Sequence, residues 1–172
     1  MGLEVELDVD GRLTLHDEDR AWPDLLLGAV HFLEAGDVDS LSDDVLIEQF
    51  MKACRGLLEA GVDVLAHPWR MFGRRRKPVP LDRYQQLADM LAATGTAAEI
   101  NFYVRPPDAH FFKLCVERGV KISFGSDAHR LHDVGNLWAH MEMLRQMAGT
   151  DDPARLRELM FVPGTGGRPT II

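Results

Sequence analysis

The chain has 172 residues, 46% of them hydrophobic and 27% charged, which suits one globular domain with apolar mass for a single core. Its net charge of -8 argues against binding nucleic acid or an anionic membrane through the surface as a whole. No run reaches the roughly 18 consecutive apolar residues of a membrane helix, and the acidic start Met-Gly-Leu-Glu-Val-Glu lacks a signal-peptide pattern, so the expected location is the cytoplasm.

Residues 3–8 alternate apolar and acidic side chains, the period of a strand. The chain enters this run by its second or third residue, as a chain would that begins in the middle of a fold. Asp10-Gly11 signals a turn, and residues 12–20 read as loop or a short extension. Residues 25–33 are almost continuously apolar, which predicts a strand buried on both faces, interrupted by His31. A loop over 34–39 follows. Ser42 is a good helix N-cap, Asp43 and Asp44 favour the first turn, and Leu46, Phe50, Cys54 and Leu57 recur at helical spacing up to Gly61. Residues 62–66 form the next strand, stopped by His67-Pro68.

Residues 69–80 are expected as a loop carrying Arg70, Arg74, Arg75, Arg76 and Lys77. A helix follows over 81–93, a strand over 97–102, a helix over 108–118 and a strand over 121–125. Further helices are expected over 137–147 and from Asp152-Pro153 to about Met160, then an irregular tail over 161–172. Cys54 and Cys115 fall in helical stretches and are expected as reduced core residues. Trp22, Trp69 and Trp138 read as packing residues. Alternation of helices and strands implies a mostly parallel sheet with right-handed crossovers. The expected fold is a single α/β domain over 1–172, with about five mostly parallel strands and helices outside. A closed eight-stranded barrel needs about 250 residues, so the chain supplies part of a barrel or an open sheet.

The sharpest motif is Gly125-Ser126-Asp127-Ala128-His129, directly after a strand. If extended backbone continues to His129, Asp127 and His129 face one point beyond the strand's C-terminal end, where α/β folds build sites. Glu4, His31 and His67 also lie in or just past strands. Singly, His31 reads as a satisfied core histidine and Glu4 as an exposed strand acid. Together the five form a mixed nitrogen and oxygen set, suited to zinc, manganese or iron and not to an all-oxygen calcium site. Such a set suits hydrolysis by metal-bound water. Nearby, Arg70 is placed to donate to a phosphate. Asn101 and Glu99 are placed to line the site, Glu99 equally as a supporting hydrogen-bond partner. His132 reads as a substrate contact or an exposed loop residue, and residues 74–77 as a solvated loop or an anion-attracting rim. His16, His110 and His140 have no evident partner. No phosphate-cradling glycine loop, dinucleotide-binding pattern or convincing nucleophilic Ser or Cys is present.

The blocks Gly2-Leu3-Glu4, Gly28-Ala29-Val30-His31-Phe32, Asp63-Val64-Leu65-Ala66-His67-Pro68, Glu99-Ile100-Asn101 and Gly125-Ser126-Asp127-Ala128-His129 occur in this order over about residues 2 to 136. In types and order they resemble the PHP (polymerase and histidinol phosphatase) family of metal-dependent phosphoesterases, in its histidinol-phosphatase-like branch. The resemblance implies a distorted (β/α)7 TIM-like barrel with a trinuclear metal centre on its C-terminal face. It implies Glu4, His31 and His67 around one metal, Asp127 at a second and His129 at a third, with Asp127 and His129 in the catalytic centre. Arg70, Asn101 and His132 would face a small phosphorylated substrate.

The family opens with a His-x-His motif, and this chain has none; its histidines are 16, 31, 67, 110, 129, 132 and 140. The expectation is therefore one competent metal position and two incomplete ones. The first barrel strands would be supplied by a complementing N-terminal segment or lost, and the unpaired sheet edge would favour a homo-oligomer. Three functions follow: a phosphatase of a histidinol-phosphate-like monoester, a non-catalytic module binding metal or a partner, or a nuclease-associated module, which the acidic charge opposes.

Overall fold

The architecture follows from five short parallel strands laid down in chain order. The structure is a computed structural model that describes residues 1–33 and 40–164. The strands are β1 (Gly2–Val5), β2 (Leu25–Gly28), β3 (Val64–Leu65), β4 (Ala97–Asn101) and β5 (Ile122–Gly125), and their sheet order is β1-β2-β3-β4-β5. Every neighbouring pair is parallel. With right-handed crossovers, an order that never reverses puts all the connecting helices on one face. The sheet thus forms an arc of consecutive βα units, as in part of an α/β barrel. The expected mostly parallel α/β domain is what forms.

The helices are α1 (Asp43–Glu59), α2 (Arg70–Arg74), α3 (Tyr84–Thr94), α4 (Ala109–Glu117), α5 (Trp138–Ala148) and α6 (Pro153–Leu159). Ser42 caps α1 by accepting the Val45 N–H, and Leu46, Phe50, Cys54 and Leu57 face the core at three- and four-residue spacing. Asp108 caps α4 in the same way, and Asp152 with Pro153 opens α6. Successive helices pack in sequence, α1 on α3, α3 on α4, α4 on α5 and α5 on α6. No helix among the described residues is long and apolar enough to cross a membrane.

Several elements depart from the periodicity. The apolar run 25–33 predicts a strand to Leu33, yet β2 ends at Gly28. A ladder is only as long as its partner, and β3 offers two residues before the chain turns. The alternation over 3–8 continues past β1 into a tight reversal. There Leu7 bridges Leu13 in antiparallel fashion, and the Asp8 carboxylate accepts the Asp10 and Arg12 N–H groups at 2.9 Å each. The expected loop over 69–80 contains α2, and the helix expected from Leu81 begins with a 3-10 turn before α3. The loop expected over 34–39 lies outside the described residues, as does the tail beyond 164. The start of that tail runs beside β5, where Phe161 donates its N–H to the Ile122 carbonyl at 2.8 Å.

Both cysteines are buried and free, and burial pushes their thiols up, that of Cys115 to about 12. Of the tryptophans only Trp69 packs inside. Its ring centroid lies 5.0 Å from Phe50, 5.1 Å from Tyr84 and 5.5 Å from Phe111. Such pairs contribute about 0.5–1.5 kcal/mol each beyond their buried area, which anchors the start of α2 to the core. Trp22 and Trp138 are exposed, contrary to expectation. Trp138 sits on the first turn of α5, on its outer side, beneath the Arg145 guanidinium.

One glycine is required by a close approach. Gly125 lies opposite Asn101, and a Cβ there would fall 1.7 Å from Glu99 Oε1 and 2.5 Å from its Cδ. Glu99 is itself buried and hydrogen-bonded, so it cannot swing away freely. Gly125→Ala is expected to destabilise by about 1–3 kcal/mol, and adding Glu99→Ala to recover part of that loss. Denaturant unfolding of both single variants and the double variant measures the coupling; strictly additive losses would show that the two positions do not compete for space.

Candidate metal centre

Three side chains meet at the C-terminal ends of the first three strands. Glu4 is the penultimate residue of β1, His31 lies three residues past β2, and His67 two residues past β3. Parallel register sets β1 to β3 side by side, with Val5 opposite Gly28 and Gly28 opposite Leu65. One ligand atom from each of Glu4, His31 and His67 lies within 4.8 Å of the other two. The imidazole rings are 4.9 Å apart, and His67 Nε2 is 3.6 Å from Glu4 Oε2, a charge contact longer than a hydrogen bond.

The backbone makes this convergence. His67 adopts φ 32 and Trp69 φ 69, a region that L residues rarely occupy and that recurs at functional sites. The turn is held from the neighbouring strand: Glu99 Oε2 accepts the His67 backbone N–H at 2.8 Å and the Asn101 side-chain amide at 3.3 Å. Pro68 cannot donate to the ladder, so the chain leaves the sheet here and Trp69 enters the core. His31 is held by a residue that the motifs did not point to. Its Nδ1–H donates to Glu6 Oε1 at 2.5 Å, which fixes the tautomer and leaves Nε2 with its lone pair. The available signal was the Glu4-Val5-Glu6 alternation, which sets the two acids on one side of the chain.

The donor set fits a divalent transition metal. His67 Nε2 is buried without a hydrogen-bond partner, an atom that otherwise carries a desolvation penalty. Burial lowers the His67 pKa, which favours the neutral ring that a metal ligand requires. The Glu4 carboxyl is held below its ordinary range, first by the His67 imidazole and against burial, so it is ionised. Two imidazoles and one carboxylate are the ligand count of a hydrolytic site, with coordination positions left for water or substrate. These residues would hold zinc, manganese or iron.

Asp127 and His129 are placed differently from the expectation. Asp127 adopts φ 46, so the strand does not continue extended to His129 and the two side chains do not converge on the metal ligands. Both terminal nitrogens of Arg70 donate to Asp127 Oδ2. Arg70 is buried, burial disfavours its charge, and Asp127 opposes that most strongly, with Glu99 and Glu4 adding to it. Removing one partner leaves the other charge unpaired in a part-buried site, which destabilises the protein. His129 donates its Nδ1–H to the Asp127 carbonyl at 2.8 Å and stacks on Tyr103 with centroids 4.4 Å apart. Its Nδ1 remains 3.8 Å from Asp127 Oδ1.

Other candidates fall behind or outside this centre. Asn101 spends its amide on Glu99 and its carbonyl oxygen on the Tyr103 N–H. His132 is exposed beside Asp133. His140, which had no partner in the sequence, is buried between Phe102 and Phe124 and donates to the Gly125 carbonyl at 2.9 Å. Tyr103, with His129 on its ring and the Arg70 guanidinium 5.9 Å from its centroid, was also missed; one aromatic past a strand end carries no distinctive signal. The sequence matches no protein-family model and no curated protein.

The chain is expected to bind one zinc or manganese ion, measured by calorimetry and metal analysis. His67→Ala should abolish binding, and Glu6→Ala should weaken it about 10- to 100-fold by freeing His31; undiminished affinity in His67→Ala would place the metal elsewhere. A second test concerns pH. Burial pushes the Glu99 carboxyl up from its ordinary 4.5 to about 7, against the His67 N–H and Asn101 amide. Between those values the folded protein keeps a proton that the unfolded chain releases. This contribution therefore lowers stability as pH rises through the window and persists above it, on the order of 3 kcal/mol. His67 acts with the opposite sign below its ordinary 6.5. Comparing metal-free wild type with Glu99→Gln isolates Glu99: the variant should gain melting temperature relative to wild type from pH 5 to pH 8. Parallel curves would show that Glu99 titrates normally.

Proposed function

We propose that the protein is a metal-dependent phosphoesterase of the PHP type, hydrolysing a small phosphate monoester. The observation that carries this reading is the convergence of Glu4, His31 and His67 within 4.8 Å, a hydrolytic ligand count with open positions, beside the guanidinium of Arg70. A bound zinc, manganese or iron would supply activated water and neutralise charge on the phosphoryl oxygen. The chain's own residues position that chemistry. Glu6 orients His31, and Glu99 holds the turn that aims His67. Arg70 offers the anion-binding fork, held in place by Asp127. His129, exposed and 3.8 Å from the Asp127 carboxylate, is the acid–base group free to carry a proton to the leaving alcohol.

A second reading is a metal-binding module without turnover. It is favoured by one observation: Asp127 is taken up by Arg70, and His129 by Tyr103, rather than joining the three ligands. Hydrolysis of p-nitrophenyl phosphate by metal-loaded protein separates the two. The phosphoesterase reading expects turnover that needs the added metal and falls at least about 100-fold in kcat/KM in His31→Ala. One tightly bound metal per chain with no turnover of any phosphate monoester would leave the module.

A further inference from the structure

A groove of about 590 Å³ opens beside the metal ligands, lined by Val30, His31, Phe32, Arg70, Met71 and the run from Arg74 to Lys77. Its size suits a small molecule. Five of those lining residues are basic and none is acidic, in a chain of net charge -8. Against that acidic background a basic groove focuses the field and draws anions to this one place.

The charge exceeds what one phosphate needs. On the phosphoesterase reading, Arg70 and a bound divalent metal would face the phosphoryl end. Lys77 is shared with Asp43 at 2.8 Å, and Arg75 is engaged as well. Arg74 and Arg76 are exposed and form no ion pair among the described residues. Arg76 also adopts φ 54, a strained backbone for a residue with a side chain. Phe32, whose ring is exposed, lines the same groove. The groove thus offers cations beyond Arg70 together with an exposed apolar ring. A substrate with a cationic remainder, such as an amino alcohol phosphate, would set its ammonium among these cations.

We infer that the substrate is a small bis-anion: besides the phosphate to be hydrolysed it carries a second anionic group, carboxylate or phosphate, which Arg74 and Arg76 bind. The assignment rests on the phosphoesterase reading for which end reacts, and it runs against a histidinol-phosphate-like substrate. A nucleic acid strand is the less favoured occupant, because the rest of the surface is acidic and the groove is short.

Hydrolysis-inert probes test the binding apart from the chemistry. Calorimetry on the metal-loaded chain compares 4-phosphonobutyrate and butane-1,4-bisphosphonate, which differ in the second anion, with butylphosphonate and 3-aminopropylphosphonate. The bis-anions should bind about tenfold or more tighter than butylphosphonate, and the cationic probe weaker still. The double variant Arg74→Ala/Arg76→Ala should bring the ratio of bis-anion to butylphosphonate affinity close to one. The stronger of the two bis-anions identifies the second group. Equal binding of all four probes, or an advantage that survives the double variant, would overturn the inference. So would an Arg74- and Arg76-dependent oligonucleotide complex tighter than either bis-anion. If the bis-anion preference is found but no phosphate ester is turned over, the groove assignment holds and the phosphoesterase reading fails. Turnover without the preference has the reverse meaning.

Discussion

Glu99 on β4 accepts the His67 backbone N–H just past β3 at 2.8 Å, and from that turn His67, Trp69 and Arg70 all take their direction. His67 goes to Glu4 and His31, Trp69 into the aromatic core, and Arg70 to Asp127 past the end of β5. The hydrogen bond exists because Gly125 has no side chain where the Glu99 carboxylate passes. A buried carboxyl is costly to keep charged, and its pKa rises accordingly to about 7. The protein accepts that destabilising group in return for a fixed left-handed turn at His67, the common trade of stability for geometry at a site.

The electrostatics separate into two zones. On the ligand side, the two imidazoles and the ionised Glu4 offer donor atoms to a cation. On the groove side, Arg70 and the run from Arg74 to Lys77 offer cations to an anion. The two zones meet at His31, which belongs to both. Trp69 couples the zones to the core, because its burial against Phe50, Tyr84 and Phe111 fixes the first residue of α2.

Much of this was legible in the residues. Ser42 with Asp43 and Asp44, followed by apolar residues at helical spacing, was enough to locate α1. The alternation over 3–8 and the apolar runs after it located all five strands, and their alternation with helices predicted parallel pairing. Glu4, His31 and His67 were identifiable because each lies at or just past a strand end, and parallel strands end on one side. Other features were not legible. The stop of β2 at Gly28 depends on the length of β3, which the residues of β2 do not encode. Glu6 reads as an ordinary surface acid until His31 is seen 2.5 Å away. The exposed ring of Trp138 has the same identity as the buried ring of Trp69, and only their neighbours differ.

The Asp127-Ala128-His129 block shows where the division falls. Its residue types, and its position after a strand, are properties of the sequence alone. So are the donor chemistry of Glu4, His31 and His67, the order of the strands and the basic run from Arg74 to Lys77. Which of these groups meet was decided by the tertiary structure. A single positive φ at Asp127 sends its carboxylate to Arg70 and breaks the extended path to His129, while the matching turn at His67 brings that ring to Glu4. Such angles are set by contacts from other strands, the Glu99 carboxylate at His67 and the Arg70 guanidinium at Asp127, and a local pattern carries no trace of partners 32 and 57 residues away.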